Sequence, residues 1–82
     1  MRINYYDQYS ANDLALVSVL IYLGFAVERV EKDVKGKATF YFYRNSELDQ
    51  AVQEYWSGDI SVEPRSYFDA IKRTKTRIYS ET

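Results

Sequence analysis

The side chains most able to do chemistry are the basic ones near the carboxyl end of the sequence. Residues 64–82 hold five Lys or Arg side chains against Asp69 and Glu81, whereas residues 1–63 hold six basic side chains against ten acidic ones. Cations on a helix can contact phosphates and release counterions, which gives salt-dependent affinity for nucleic acid. The candidate nucleic-acid-binding cations are Arg65, Lys72, Arg73, Lys75 and Arg77.

A solvated helix explains the same charges, and it is the favoured interpretation. Asp69 stands three and four residues before Lys72 and Arg73, a spacing that lets it pair with both on one helical face. The whole chain carries a formal net charge of -1, with a sequence pI of about 5.3. Domains that depend on phosphate binding are usually basic overall, with a pI above about 9.

Aromatic side chains are the second unusual feature, with nine Tyr, four Phe and one Trp in 82 residues. Tyr41 and Tyr43 alternate with Phe40 and Phe42, so the tyrosines lie on the opposite face of a strand from the phenylalanines. Unstacked bases can lie on such exposed rings. The favoured interpretation is that Tyr41 and Tyr43 pair across strands with the N-terminal segment Tyr5–Tyr9, or bury their rings under a loop while their hydroxyls stay in water.

Several kinds of active site are excluded because the chain contains neither Cys nor His. A Ser-His-Asp triad, a thiolate nucleophile and a zinc-thiolate site all need one of these residues. The nearest carboxylate pairs are Glu28 with Glu31 and Glu47 with Asp49, which solvation and helix capping explain. We expect no catalytic residue, no cofactor and no metal.

The sequence also gives an expectation about location. The N-terminal residues lack the basic start and apolar run of a signal peptide. The longest apolar stretch, residues 14–27, is shorter than the roughly 20 residues that a membrane span needs. We therefore expect a cytoplasmic protein with no membrane contact.

The elements that must position these side chains begin with a short strand at Tyr5–Tyr9, indicated by its aromatic residues. Ser10 and Asp13 then form a capping-box-like start, which predicts a helix from Ala11 to Leu23 that ends at Gly24. This helix is apolar on more than one side, so it must be covered by its own chain or by a partner. Leu16, Val19 and Leu23 are the candidate interface residues on it, either for a protein partner or for a homodimer.

A β-hairpin follows the first helix. Residues 25–32 and 38–43 have strand patterns, and the polar segment at 33–37 contains a glycine and has the length of a hairpin connection.

Two further helices complete the chain. Ser46 with Asp49 predicts the start of a second helix that runs to Ser57 and stops at Gly58. Trp56 falls on the same apolar face as Leu48 and Val52, which favours a core position, with a partner anchor as the alternative. Pro64 predicts the start of a third helix, to about Tyr79. Its inward face comprises Tyr67, Ala70, Ile71, Thr74 and Ile78.

The predicted fold class is α+β. A small antiparallel sheet, made of the short N-terminal strand plus the β-hairpin, packs on three helices in the order β-α-β-β-α-α. With no linker or repeat in the sequence, residues 1–82 are expected to form a single small domain.

The order of several short motifs resembles a known family. They are the start Ser10 to Ala15, the turn Leu23-Gly24-Phe25, the segment Tyr55-Trp56-Ser57-Gly58 and the helix start Val62-Glu63-Pro64. In their order they resemble short bacterial proteins of unknown function that occur in phages and mobile elements. The resemblance extends from about Tyr5 to Ser80. Glu63 departs from that pattern, which often has Asp there, a better N-cap.

The resemblance implies the fold and a phage or mobile-element context, and it brings no catalytic residue. We therefore expect a non-enzymatic accessory protein that binds a protein partner or itself, and the alternative is a nucleic-acid-binding accessory protein that uses the basic helix.

Overall fold

The computed structural model describes residues 7–80, and it confirms the α+β fold and the predicted order β-α-β-β-α-α. Tyr5 and Tyr6, on which the first predicted strand partly rested, lie outside the described residues. The elements are β1 (Gln8–Ala11), α1 (Leu14–Tyr22), β2 (Val27–Lys32), β3 (Ala38–Tyr43), α2 (Ser46–Ser57) and α3 (Pro64–Ser80).

The first helix begins three residues later than the sequence predicts. Ser10 and Ala11 belong to β1, where they lie opposite Tyr41 and Phe40 of β3. Asp13 is the N-cap, and its Oδ1 accepts hydrogen bonds from the backbone N–H groups of Ala15 at 2.9 Å and Leu16 at 3.2 Å. The prediction of Ser10 as the cap is wrong because Ser10 pairs with β3 as part of a strand. Asp13 instead accepts hydrogen bonds from the first backbone N–H groups of the helix.

The predicted end of this helix at Gly24 is confirmed. Gly24 has a φ of +95°, and its N–H donates to the carbonyl of Ile21 at 3.0 Å. The next N–H, that of Phe25, donates to the carbonyl of Leu20 at 3.0 Å. This pair of bonds is a Schellman motif, which needs a left-handed residue at the glycine position.

The sheet has the order β1-β3-β2, with both pairs antiparallel. The predicted hairpin is confirmed, and β3 has the predicted bounds. In the connection, Asp33 Oδ1 accepts from the N–H groups of Lys35 and Lys37, each at 2.9 Å, which closes the turn. The N-terminal strand joins β3 and not β2, so β3 is the central strand.

The core lies between one face of this sheet and the first two helices. Phe40 and Phe42 are at most 2% exposed, which confirms that they face inward. They belong to one apolar cluster to which every other element contributes, α3 only through the partly buried Ile78. The other buried members of the cluster are Ala11, Leu16, Val17, Leu20, Val30, Leu48 and Ala51.

Helix α1 lies between the sheet and α3. Toward α3, the hydroxyl of Ser18 donates to that of Thr74 at 3.2 Å, and both side chains are fully buried. Leu16 packs in the sheet-side cluster. Val19 stands four residues after Ala15 and three before Tyr22, both of which contact Tyr67 of α3, so helical spacing puts it on the α3-facing side. Leu16 and Val19 are therefore 2% and 3% exposed, which corrects the expectation that they form a free surface. The chain itself covers this helix, and Leu23 stays 43% exposed.

Helix α2 ends at Gly58 as predicted, but Asn45 caps it and Ser46 does not. The Asn45 Oδ1 accepts the N–H of Leu48 at 2.8 Å. Trp56 is 64% exposed, so the favoured core position is wrong. Eight residues after Leu48, Trp56 is rotated by about 80° around the helix axis, which takes it to the margin of the apolar face.

Among residues 7–80, no helix combines the length and the apolar character needed to cross a membrane.

Candidate interaction surfaces

Helix α3 is amphipathic, as the sequence predicts. Ala70 and Thr74 are fully buried, and the other three predicted inward residues are partly buried. The Tyr67 hydroxyl donates to the carbonyl of Ala15 at 3.2 Å, and its ring meets that of Tyr22 edge-on. These contacts fix the rotation of α3 about its axis, and therefore which side chains it presents outward.

The start of α3 depends on Glu63, the residue that departs from the family pattern. Its Oε2 accepts the backbone N–H of Ser66 at 2.7 Å. This bond stabilises the charged carboxylate and lowers the pKa of Glu63. The N–H of Glu63 in turn donates to the Tyr22 hydroxyl at 3.0 Å, which ties the start of α3 to the end of α1.

The structure exposes four of the five candidate cations, and Arg77 is half-buried. The expected ion pair of Asp69 with Lys72 and Arg73 does not form among the described residues. The ion pairs there join Arg29 to Glu31 and Arg44 to Asp49. Lys72 instead places its Nζ 4.7 Å from the centre of the Phe68 ring, a cation–π contact.

Two aromatic residues that the sequence reasoning missed stand among these cations. Phe68 is 57% exposed and Tyr79 is 74% exposed. Steps of three and four residues place them on one side of the helix with three of the cations. We call this set the α3 stripe, and its members are Arg65, Phe68, Lys72, Lys75 and Tyr79. The same spacing is visible in the sequence, but the sequence does not show which side of α3 stays exposed.

Tyr41 lies on the outer face of the sheet, where the ion pair of Arg29 and Glu31 contacts both its ring and its hydroxyl. The Arg29 guanidinium carbon is 3.8 Å from the centre of the Tyr41 ring. The Tyr41 hydroxyl donates to Glu31 at 3.3 Å, and Arg29 donates to the same carboxylate at 2.9 Å. The guanidinium covers one face of the ring, so a base cannot stack on that face.

Tyr43 is 58% exposed and lines a groove of about 440 Å³ together with Leu23 and Phe25. The outer face of the sheet and the outer side of α3 are separated by the sheet itself and by α1. Tyr41 and Tyr43 therefore do not converge with Lys72 and the other α3 cations.

Trp56 lines a different groove, of about 320 Å³, at the junction of β1, the start of α1 and the end of α2. Tyr55 packs against the indole with ring centroids 5.0 Å apart and an interplanar angle of 83°. Leu23 and Trp56, both candidate interface residues, are thus exposed in separate places.

Over residues 7–80, no group of three or more acidic side chains is arranged to hold a metal ion. The candidate residues that stay exposed lie in the α3 stripe, beside it on α3, on the outer face of the sheet and in the two grooves lined by Tyr43 and Trp56.

Neither the curated proteins nor the solved structures include one that matches this chain significantly. The resemblance to an uncharacterised family extends from about Tyr5 to Ser80. A family model covers nearly the same range and all of the described residues. Over residues 6–80 the sequence matches a domain of unknown function (DUF5659), and the chain belongs to that family.

Proposed function

We propose that this chain is a non-enzymatic protein-interaction module that binds an acidic, partly apolar surface of a protein partner through the α3 stripe. The observation that carries the proposal is the alternation of two largely exposed rings, Phe68 and Tyr79, with cations that form no ion pair with residues 7–80. Aromatic residues are enriched at protein interfaces, and exposed apolar side chains grouped together are typical of binding sites. The absence of His and Cys supports a non-enzymatic role.

The setting of this module is part of the same proposal. The family resemblance suggests an accessory protein of a phage or mobile element, and the sequence suggests the cytoplasm. We place the contact on α3 and not on α1, because α1 has its two central candidate residues, Leu16 and Val19, buried by the chain itself.

A photo-crosslinking amino acid tests the contact directly. It replaces Phe68 in one variant and Val34 in a matched control, since Val34 is fully exposed at the hairpin turn, away from α3. We expect a discrete protein adduct in bacterial cells from position 68 that is absent from position 34. The adduct should survive nuclease treatment and disappear when Lys72→Glu and Lys75→Glu are added.

Two results would overturn this proposal. Equal crosslinking from both positions would mean that the adduct reflects exposure alone. An adduct that nuclease removes would mean that the α3 stripe contacts nucleic acid and not a protein.

Nucleic-acid binding is the second candidate, favoured by the exposed cations Arg65, Lys72, Arg73 and Lys75. The overall acidity of the chain and the covered ring of Tyr41 stand against it. Light scattering behind size exclusion, with mixed short DNA and RNA, tests it. If it is correct, a complex forms at low salt, dissociates as salt rises and is lost in Lys72→Glu/Arg73→Glu. The control Lys35→Glu/Lys37→Glu, in the hairpin turn, should bind as the parent does.

A further inference from the structure

The groove beside Trp56 has a composition unlike that of the α3 stripe. Its walls come from β1, β3 and the facing ends of α1 and α2, and they include no Lys or Arg. At about 320 Å³ it has room for one long side chain. The lining residues that matter to the argument are Tyr9, Asn12, Asp13, Leu16 and Trp56.

Trp56 supplies an aromatic surface that the fold leaves open. The indole is 64% exposed although it belongs to the residue type with the largest apolar side chain. The edge-on contact with Tyr55 holds the indole in place from one side. Trp has the ring that attracts cations most strongly, because its face carries the negative part of the quadrupole.

Asp13 supplies a negative charge in the same groove. Its Oδ1 accepts both capping hydrogen bonds of α1, whereas its Oδ2 has no partner among residues 7–80. The nearby Arg44 is already engaged with Asp49 at 3.0 Å. Burial raises the pKa of Tyr9 and Tyr55, and the charge of Asp13 adds to the increase in both phenols. The two capping bonds and the positive end of α1 offset part of this charge, and the remainder acts on Tyr9, which lines the groove.

We propose that this groove binds the cationic side chain of a Lys or Arg residue from a protein partner, with the Trp56 indole as its platform and the Asp13 carboxylate as its counter-charge. The side chain's methylene groups lie against Leu16, and its charged end reaches the free Oδ2. Such a contact joins a cation–π interaction to a charge-assisted hydrogen bond. The site is separate from the α3 stripe, so either assignment can fail without the other.

The chain carries a convenient reporter, because Trp56 is its only tryptophan. Intrinsic fluorescence is followed during titration with N-acetyl-lysine methylamide and N-acetyl-arginine methylamide at constant ionic strength. The neutral N-acetyl-norleucine methylamide has a similar chain without the charge. We expect a saturable change with the two cationic probes, at millimolar concentrations typical of a single side chain, and none with the neutral one.

Asp13→Asn is the decisive variant. Asn is as good an N-cap as Asp, so the helix start is kept while the charge is removed. We expect affinity for the cationic probes to fall about fivefold, as the loss of one charge contact near 4 Å in a water-like environment implies. Asp69→Asn removes one charge from the outer side of α3 and should leave the affinity unchanged. Circular dichroism of both variants checks that the fold is intact.

A second measurement covers the platform itself. Trp56→Ala removes the fluorescent reporter, so binding is followed there by the amide NMR shifts of Asn12 and Thr39, which line the groove. Those shifts should move in the parent and stay still in Trp56→Ala.

Three results would overturn the proposal. They are equal binding of the neutral probe, unchanged affinity in Asp13→Asn, and no saturable response to either cation. A fluorescence change that depends on protein concentration alone would also overturn it as stated, because the occupant would then be a second copy of this chain.

Discussion

The buried hydroxyl pair between α1 and α3 leads to an asymmetric prediction. Ser18 donates to Thr74 at 3.2 Å, and Thr74 donates to the carbonyl of Ala70 at 2.8 Å. Both side chains are fully buried, so neither hydroxyl can turn to solvent. Thr74 is therefore the acceptor on which Ser18 depends, whereas Thr74 keeps its own acceptor when Ser18 is removed.

Thr74→Val keeps the shape of the side chain but leaves the Ser18 donor unpaired. A buried polar group without a partner costs about 1–3 kcal/mol, and the Thr74 bond to Ala70 is lost as well. Ser18→Ala removes the donor itself and should cost less than about 1 kcal/mol. The double variant has no unpaired hydroxyl, so its free energy of unfolding should lie close to that of Ser18→Ala.

Urea unfolding followed by far-ultraviolet circular dichroism measures these differences, since the exposed Trp56 reports little about the core. With a slope of about 1 kcal/mol per molar urea for so small a domain, Thr74→Val should lower the midpoint by about 1–3 M. The reasoning is refuted if Ser18→Ala costs as much as Thr74→Val, or if the two losses simply add in the double variant.

Three further predictions concern α3 and the turn before it. Gly58 has a φ of +79°, and an added Cβ would meet no atom within 4 Å. Gly58→Ala should therefore lower the free energy of unfolding, measured by urea titration, only by the cost of a left-handed backbone, about 1–2 kcal/mol. Gly58→Asn should lower it by less, because Asn tolerates this conformation better. Glu63→Ala should lower the thermal midpoint and Glu63→Asp should keep it. The pKa of Glu63 is lowered by folding, so its contribution is present above the ordinary value of 4.5 and lost as pH falls through the folded value, which melting at neutral and acid pH measures. Burial raises the pKa of Tyr67 in the folded protein. The phenol therefore contributes its full stabilisation below pH 10.0, the ordinary pKa of tyrosine, and loses it as pH rises through the pKa of the folded state. Tyr67→Phe should reduce this loss of stability at alkaline pH, as urea titrations at several pH values would show.

The sequence predicted the elements whose signals are local. The connection at 33–37 contains a glycine and an aspartate that closes the turn on itself, so the hairpin needs no distant contact to be recognised. Gly24 and Gly58 likewise end their helices through bonds within a few residues. The alternation of Phe40 and Phe42 with tyrosines was enough to assign the two faces of β3.

The start of α1 could not be predicted in the same way. Ser10 and Asp13 both suit a helix cap, and the choice between them depends on β3, some thirty residues further along the chain. The pairing of Ser10 with Tyr41 cannot be read from the neighbours of Ser10. The order β1-β3-β2 was left open for the same reason.

The candidate surfaces depended on packing even more strongly. The exposure of Val19 depends on the position of α3, and the sequence of α1 does not indicate that position. Trp56 looked inward because the helical pattern treats positions near the margin of a face as part of it. The α3 stripe was only partly recognised, because its cations stand out by charge while Phe68 and Tyr79 resemble ordinary core residues.

The position of α1 between the sheet and α3 gives the last helix a protective role. One side of α1 shares the core of Phe40 and Phe42, and the other side meets mainly α3. Local openings cost less free energy than global unfolding, and α3 contributes only the partly buried Ile78 to the sheet-side cluster. We therefore expect that α3 can detach while most of that core persists. Detachment of α3, or cleavage of the chain within residues 59–63, would expose the side of α1 that includes Val19. Exposed apolar surface of this kind favours association between molecules. The helix that carries the α3 stripe thus also protects the molecule against aggregation.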